Sequence, residues 1–174
     1  MKKIYLDDVR TPVDKEWIVV RSYDEFVEKI NEIGLNNIEL ISLDHDLGDS
    51  AIDEWKRNVY TNYTINYDNI TEKTGMDCVK WLVNEWMNGK PIVDVVVHSH
   101  NAIGSGNMMG YINNYRHINK LPQNCVRFEP KYTIEKYFYC NPRRTHHTPN
   151  IIFCNIVIPS VILIIDRVNN AVIF

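Results

Sequence analysis

Short apolar, β-branched runs recur along the first hundred residues, and each is followed by polar residues. The runs Ile4 to Leu6, Ile38 to Leu43 and Ile92 to Val97 have the length and composition of buried strands. A further run, Trp17 to Val20, follows the first so closely that their connection has no room for a full helix. These runs predict an α/β fold with a mostly parallel sheet, whose first helix is reduced.

Helices are predicted between these strands from capping residues and apolar spacing. Ser22 begins a capping-box sequence, and apolar residues then recur at helical spacing until Gly34. Thr74 is predicted to cap a second helix, which has an apolar face extending to Trp86. A glycine-rich turn at residues 104–106 is predicted to open a third helix. The order strand, turn, helix favours parallel pairing of the strands.

Two segments do not fit this alternation. The polar stretch Asp49 to Lys73 is too long for an ordinary connection, so it is a lid, an insertion with structure of its own, or a mobile loop. The apolar run Ile151 to Ile165 is shorter than the roughly 20 residues that span a bilayer, and Asn155 and Pro159 interrupt it. We therefore expect added strands there and no membrane anchor. The expected domains are residues 1–120, with an insertion at 49–73, and a C-terminal β-rich extension at 121–174.

Composition and charge narrow the classes of function. The formal net charge of the 174 residues is -3, and the acidic residues are concentrated in the first 120 positions. We expect no extended binding along a nucleic acid duplex, because affinity there comes from neutralising phosphates. The cysteines lack CxxC spacing and no signal peptide opens the chain, so we expect a cytoplasmic protein with reduced thiols. A zinc site is disfavoured by the irregular spacing of its candidate ligands, Cys140, His146, His147 and Cys154.

Paired acids stand at two of the predicted strand ends. Asp7 and Asp8 follow one strand, and Asp44 and Asp46 follow another. Because the carboxyl ends of parallel strands form the crevice where ligands bind, we expect the four carboxylates to converge. They would repel one another unless they shared a proton or a cation, and Mg²⁺ prefers such an oxygen-rich site. The alternative is that each pair only forms a turn.

Three histidines, His45, His98 and His100, lie beside the same strand ends. Strand alternation places His98 and His100 on one face and Ser99 on the other, so at least one of these groups should face the crevice. An imidazole there can act as a general acid or base near neutral pH. We favour His98 for this role, ahead of His45 and His100. Each histidine could instead be a buried structural residue.

A phosphate pocket is predicted opposite the acids. Its candidate residues are Ser99, Asn101, Gly104 and Gly106. Backbone N–H groups freed by glycine at a helix N-terminus attract anions. A cation among the aspartates and this pocket would together hold a phosphoryl group.

Several of these runs together resemble the cyclic-phosphate processing receiver-like family, a branch of the receiver (response-regulator) fold. The matching runs, in order, are LDDVRTP, VVRSYDEF, ISLDHDLG, GMDCVKWL and VHSHNAIGSGNM, within about residues 2–118. The resemblance implies a flavodoxin-like sheet with helices on both faces and activity on cyclic phosphate ends of RNA or on nucleotides. It also implies that Asp7, Asp8 and Asp44 bind Mg²⁺, that Asp44 can accept a phosphoryl group, and that Ser99 contacts that group.

One departure from the receiver pattern bears on function. Receivers carry a lysine and then a proline after the last strand, which Glu129-Pro130-Lys131 does not match. This departure argues against ordinary phosphorelay signalling. From the resemblance together with the acids and histidines, we expect hydrolysis of a cyclic phosphate on a nucleotide or RNA end, dependent on Mg²⁺ or Mn²⁺, with Asp44, His98 and His45 as catalytic residues. The alternatives are a non-enzymatic phospho-acceptor and an inactive module that senses or sequesters a nucleotide.

Overall fold

The computed structural model describes residues 1–128 and 130–134 of the chain. Its strands are β1 (Lys2–Leu6), β2 (Arg10–Pro12), β3 (Trp17–Val20), β4 (Ile38–Leu43), β5 (Asp94–Val97), β6 (Val126–Arg127) and β7 (Tyr132–Ile134). Its α-helices are α1 (Tyr23–Ile33), α2 (Asp49–Glu54), α3 (Tyr60–Asn62), α4 (Gly75–Met87) and α5 (Ala102–Ile118). All of these elements belong to one compact unit, Met1–Tyr137.

Five parallel strands form the main sheet, in the order β3-β1-β4-β5-β6, which confirms the predicted parallel α/β fold. Leu6 at the end of β1 pairs with Leu43 at the end of β4, and Leu43 pairs with Val97 at the end of β5. The three strands therefore end at the same level. The polar residues that follow them meet at one edge of the sheet.

The connection from β1 to β3 contains no helix, as predicted. It contains the short strand β2 instead, which pairs antiparallel with β7. Strands β6 and β7 both follow residue 120, and β6 completes the main sheet beside β5. The compact unit therefore continues past the expected end of the first domain. The apolar run at 151–165 and the candidate zinc ligands lie outside the described residues.

The hydrophobic core packs against one face of the sheet. Alternating residues of β1, β4 and β5 share this face and belong to one cluster with residues of α1, α4 and α5. These three helices therefore cover the same face, whereas helices were expected on both faces. The connection from β1 to β3 contains no helix that could cover the opposite face. Members of the core cluster include Ile4, Leu6, Ile41, Leu43, Val95, Val97, Phe26, Val79 and Met108.

Among the residues that the structure describes, no helix has both the length and the apolar character to cross a bilayer.

Capping explains where the helices begin. The Ser22 hydroxyl accepts a hydrogen bond from the Glu25 backbone at 3.2 Å, and Thr74 forms a capping box with Asp77. The prediction for α5 was wrong in one respect: the glycines at 104–106 lie inside the helix and do not form a turn before it. The helix begins earlier because the Asn101 side chain accepts from the Gly104 N–H at 2.8 Å.

The long polar stretch after β4 is an insertion with structure of its own. Helix α2 continues through a π-helical turn, Trp55–Val59, into α3, and a 3₁₀ turn follows at Tyr67–Asn69. The buried Glu54 carboxylate holds this segment together by accepting from the backbone N–H of Asn66 at 2.7 Å and from the amide of Asn69 at 2.8 Å. Of the three readings left open by the sequence, the structure therefore favours the insertion.

Candidate functional site

Three of the predicted carboxylates meet at the carboxyl ends of β1 and β4. Asp7 and Asp8 follow β1 directly, and Asp44 follows β4. The Asp44 N–H donates to the carbonyl of Leu6 at 2.9 Å, which fixes the two strand ends side by side. Single carboxylate oxygens of Asp7, Asp8 and Asp44 all lie within 4.8 Å of one another. The expected convergence therefore holds for these three acids, which we call the acid cluster.

Asp46 is not in the acid cluster, although we expected it as a fourth metal ligand. One of its oxygens accepts from Nδ1 of His45 at 2.6 Å, and the same oxygen accepts from the Asn101 amide at 3.0 Å. These contacts turn the carboxylate toward the imidazole. Asp46 is therefore placed to orient His45.

Arg10 is a central residue that the sequence analysis did not single out. It is buried, and its Nε lies 2.5 Å from Asp7 while its Nη2 lies 2.8 Å from Asp44. Its Nη1 also donates to the carbonyl of His98 at 3.2 Å. One guanidinium therefore links all three strand ends. The available signal was its position three residues after Asp7, in the same polar run.

The two buried carboxylates of the cluster have opposite pKa shifts. Burial raises the pKa of Asp44, and the Arg10 charge offsets this only in part. Burial also acts to raise the pKa of Asp7, but hydrogen bonding from His98 and the charge of Arg10 lower it below its usual value. Asp7 is thus the more stable anion of the pair.

His98 lies behind the acid cluster. Its ring has no exposed surface and stacks on Tyr5 with centroids 4.2 Å apart. Its Nε2 is 3.2 Å from Asp7, and its Nδ1 is 2.7 Å from the Ser42 hydroxyl. Nε2 therefore bonds to the Asp7 carboxylate, and Nδ1 is paired with the Ser42 hydroxyl. The geometry places His98 where it can hold Asp7 in position.

His45 lies in a chain of polar contacts that leads toward the surface. Its Nδ1 faces Asp46, and its Nε2 is 3.1 Å from the hydroxyl of Tyr67, which belongs to the insertion. A carboxylate at Nδ1 favours a proton on that nitrogen, so Nε2 accepts from the tyrosine. The ring itself is fully buried, whereas Tyr67 is 37% exposed. Tyr67 could not be linked to His45 from the sequence, because the contact depends on how the insertion folds.

The predicted phosphate-binding residues lie beside the cluster, with several of their polar groups already engaged. Ser99 is buried, and its hydroxyl bonds to Asp44 and accepts from the Asn101 N–H at 3.2 Å. The Gly104 N–H is occupied by the Asn101 side chain, while Gly106 is exposed one turn into α5. His100 is exposed. Phosphate binding by Ser99, Asn101, Gly104 and Gly106 therefore stays a prediction.

Two glycines permit the close packing around His45 and Asp44. A Cβ on Gly75 would lie 1.9 Å from the Asp44 carbonyl oxygen, and a Cβ on Gly104 would lie 2.4 Å from the His45 ring. The Gly75 N–H also donates to the carbonyl of His45 at 2.9 Å. The first turn of α4 is therefore in direct contact with the end of β4.

The acid cluster has the donor set of a hard divalent cation. Carboxylate oxygens are the preferred ligands of Mg²⁺, and Asp7, Asp8 and Asp44 can each supply one. The Arg10 guanidinium supplies a positive charge beside these acids. Arg10 also contacts an oxygen of both Asp7 and Asp44. The residues therefore fit Mg²⁺ or Mn²⁺, with Arg10 as a competitor for the same carboxylates.

A five-stranded parallel sheet with an acid cluster at its carboxyl edge defines a receiver-type α/β domain. The family model of the cyclic-phosphate processing receiver domain matches residues 2–114, which is more than half of the chain. The chain therefore belongs to this family, and the resemblance noted in the sequence is confirmed. A search of curated proteins and a search of solved structures each gave no match.

Proposed function

We propose that this domain hydrolyses a cyclic phosphate carried by a nucleotide or an RNA end, with a divalent cation held by Asp7, Asp8 and Asp44. The observation that carries this proposal is the convergence of three carboxylates at one edge of the sheet. Family membership supplies the class of substrate. When bound, the cation would offset negative charge on the phosphate oxygens.

Ring opening adds one water molecule to the cyclic ester. A bond forms between the water oxygen and phosphorus, and the bond from phosphorus to one ring oxygen breaks. The water gives up a proton, and the departing oxygen gains one. The reaction therefore needs groups that can accept and donate protons beside the phosphate.

His45 is the imidazole best placed for this exchange. Asp46 orients its ring, and Nε2 contacts the hydroxyl of Tyr67, a residue that is partly exposed. A proton can pass between Nε2 and the surface through that hydroxyl without exposing the imidazole. Both ring nitrogens of His98 are engaged inside the protein, by Asp7 and Ser42, so in this proposal it is a positioning residue that holds Asp7.

Product identification tests the proposed reaction. Purified protein is incubated with Mg²⁺ and a panel of cyclic phosphates, and ³¹P NMR follows the phosphorus species. We expect the cyclic phosphate signal of at least one compound to be replaced by that of a phosphomonoester. Stable phosphorylation of Asp44 by a small phosphodonor, without any ring opening, would contradict the hydrolase and support a phospho-acceptor. Tight binding of a cyclic phosphate without turnover would contradict the hydrolase and support a module that sequesters its ligand.

Metal binding is tested separately by thermal unfolding with and without millimolar Mg²⁺ or Mn²⁺. A ligand that binds only the folded state raises the melting temperature. We expect Asp8→Asn to abolish this rise, because Asp8 is a half-buried member of the acid cluster. The matched control is Asp53→Asn, at an exposed aspartate of α2, which should respond as the wild type does. An equal rise in melting temperature in all three proteins would show that the cation does not bind at the acid cluster.

A further inference from the structure

A groove on the surface of the domain is lined by residues that, apart from Tyr67, have no role in the chemistry described above. It runs between the insertion, the start of α4 and the outer side of α5, is open to solvent, and has a volume of about 530 Å³. Pockets for small organic ligands typically occupy about 300–1,000 Å³. The groove therefore has room for a ligand the size of a nucleoside. Its lining residues are Tyr67, Met76, Lys80, Gly106, Asn107, Gly110, Tyr111 and Asn114.

Two lining residues of the groove connect it to the surroundings of the acid cluster. The Tyr67 hydroxyl contacts His45 at 3.1 Å and accepts from the Asn107 amide at 3.2 Å. Met76 follows Gly75, which packs directly on the backbone of Asp44. The groove therefore adjoins residues that pack on His45 and on the backbone of Asp44.

The chemistry of the walls suits a flat heteroaromatic ring. Tyr67 and Tyr111 expose aromatic surface, 37% and 44% respectively. The surface of α5 in the groove is bare at Gly106 and Gly110, where a Cβ would meet no atom within 4 Å. Asn114 adds an amide that can both donate and accept, which is what the polar edge of a nucleobase requires.

We propose that this groove binds the nucleobase of the substrate, so that the protein acts on nucleoside cyclic phosphates and not on cyclic phosphates in general. This proposal rests on the proposed function for the phosphate end of the ligand. Stacking of a base on an aromatic side chain contributes about 1–3 kcal/mol per base. Tyr111 is the ring to test, because it has no part in the contacts of His45.

The test compares binding of two probes by calorimetry in the presence of Mg²⁺. One probe is adenosine 2′,3′-cyclic phosphate, and the other is glycerol 1,2-cyclic phosphate, which has no base. We expect Tyr111→Ala to lower the preference for the adenosine probe by about 5- to 150-fold, which corresponds to the loss of one stacking contact. Tyr111→Phe should retain the preference, since it keeps the ring. Tyr63→Ala is the matched control, because Tyr63 is an exposed tyrosine outside the groove.

The outcomes separate this proposal from the proposed function. If the wild type binds both probes equally, the nucleobase site is overturned, whether or not the ring is opened. If it prefers the adenosine probe through Tyr111 but never opens the ring, the nucleobase site stands and the hydrolase does not. A short RNA with a 2′,3′-cyclic phosphate end is the third probe. If RNA binding is weakened by Tyr111→Ala, the same groove binds the base at RNA ends. If RNA binding is unchanged by Tyr111→Ala, the groove binds the base of free nucleotides only.

Discussion

Arg10 provides the sharpest test of how the acid cluster is held together. The substitution Arg10→Met keeps most of the aliphatic stem and removes the charge. In the wild type this guanidinium contacts Asp7 at 2.5 Å and Asp44 at 2.8 Å, and all three side chains are at least nine-tenths buried. Methionine would leave both carboxylates without their shared cation, in an environment where water replaces it poorly.

The expected cost follows from that burial. Removing one partner of a buried ion pair typically destabilises a protein by about 3–5 kcal/mol, because the remaining charge is left uncompensated. We therefore expect Arg10→Met to lower the free energy of unfolding by about that amount in the presence of a chelator. A divalent cation should restore part of the loss, since it can neutralise the same oxygens. Mg²⁺ should thus stabilise Arg10→Met more than it stabilises the wild type.

Urea unfolding with EDTA and with millimolar Mg²⁺ measures both effects. Arg57→Met is the control, because Arg57 lies on the insertion, where its side chain makes an exposed hydrogen bond to the backbone carbonyl of Asp53. A variant at Arg10 that is as stable as the control in EDTA would refute the bridging role. Equal gains from Mg²⁺ in Arg10→Met and in the wild type would show that cation and guanidinium do not compete.

Three further predictions test the surroundings of the site. His98→Ala should lower the free energy of unfolding by about 1–3 kcal/mol, because the buried Asp7 carboxylate and the Ser42 hydroxyl lose a partner; urea unfolding that matches the wild type would contradict this. Gly75→Ala should cost about 1–3 kcal/mol through overpacking against the Asp44 backbone, whereas Gly110→Ala, which meets no atom within 4 Å, should not, and equal unfolding curves for the two would rule out the close contact. Burial acts to raise the pKa of Glu54, but hydrogen bonds from Asn66, Asn69 and Asn58 outweigh it and lower the pKa below the ordinary value of a glutamate. The stability that Glu54 gives the insertion is therefore present above the ordinary pKa of a glutamate and is lost as the pH falls through the lowered pKa. Proteolysis within residues 49–73 should therefore be faster in acid than at neutral pH, whereas Glu54→Gln should be cleaved equally fast at acid and neutral pH.

The strands and the helix caps were predictable because each depends on a few neighbouring residues. Leu6 and Leu43 end β-branched runs and are followed by acids, so the strand ends could be located from the sequence. The caps at Ser22 and Thr74 follow from residue types at fixed spacing. The start of α5 was misplaced because two glycines suggest a turn, whereas the side chain of Asn101 had already satisfied the first turn of the helix.

The contacts that complete the site depend on tertiary structure. A lone arginine in a polar run is usually solvent-exposed, so the burial of Arg10 between two strand ends has no local signature. His98 and His45 were similar by pattern, but His98 lies behind Asp7 whereas His45 is joined to the surface by Tyr67. That difference arises from the insertion, which the sequence marked only as too long for a simple connection.

Dependence of ring opening on Asp44 tests the central claim most directly. The initial rate of hydrolysis of a nucleoside 2′,3′-cyclic phosphate is measured with Mg²⁺ for the wild type, for Asp44→Asn and for the exposed control Asp53→Asn. Because Asp44 belongs to the acid cluster and contacts both Arg10 and Ser99, we expect Asp44→Asn to lose nearly all activity while Asp53→Asn retains it. Hydrolysis by Asp44→Asn at the wild-type rate would contradict the assignment of the reaction to this site.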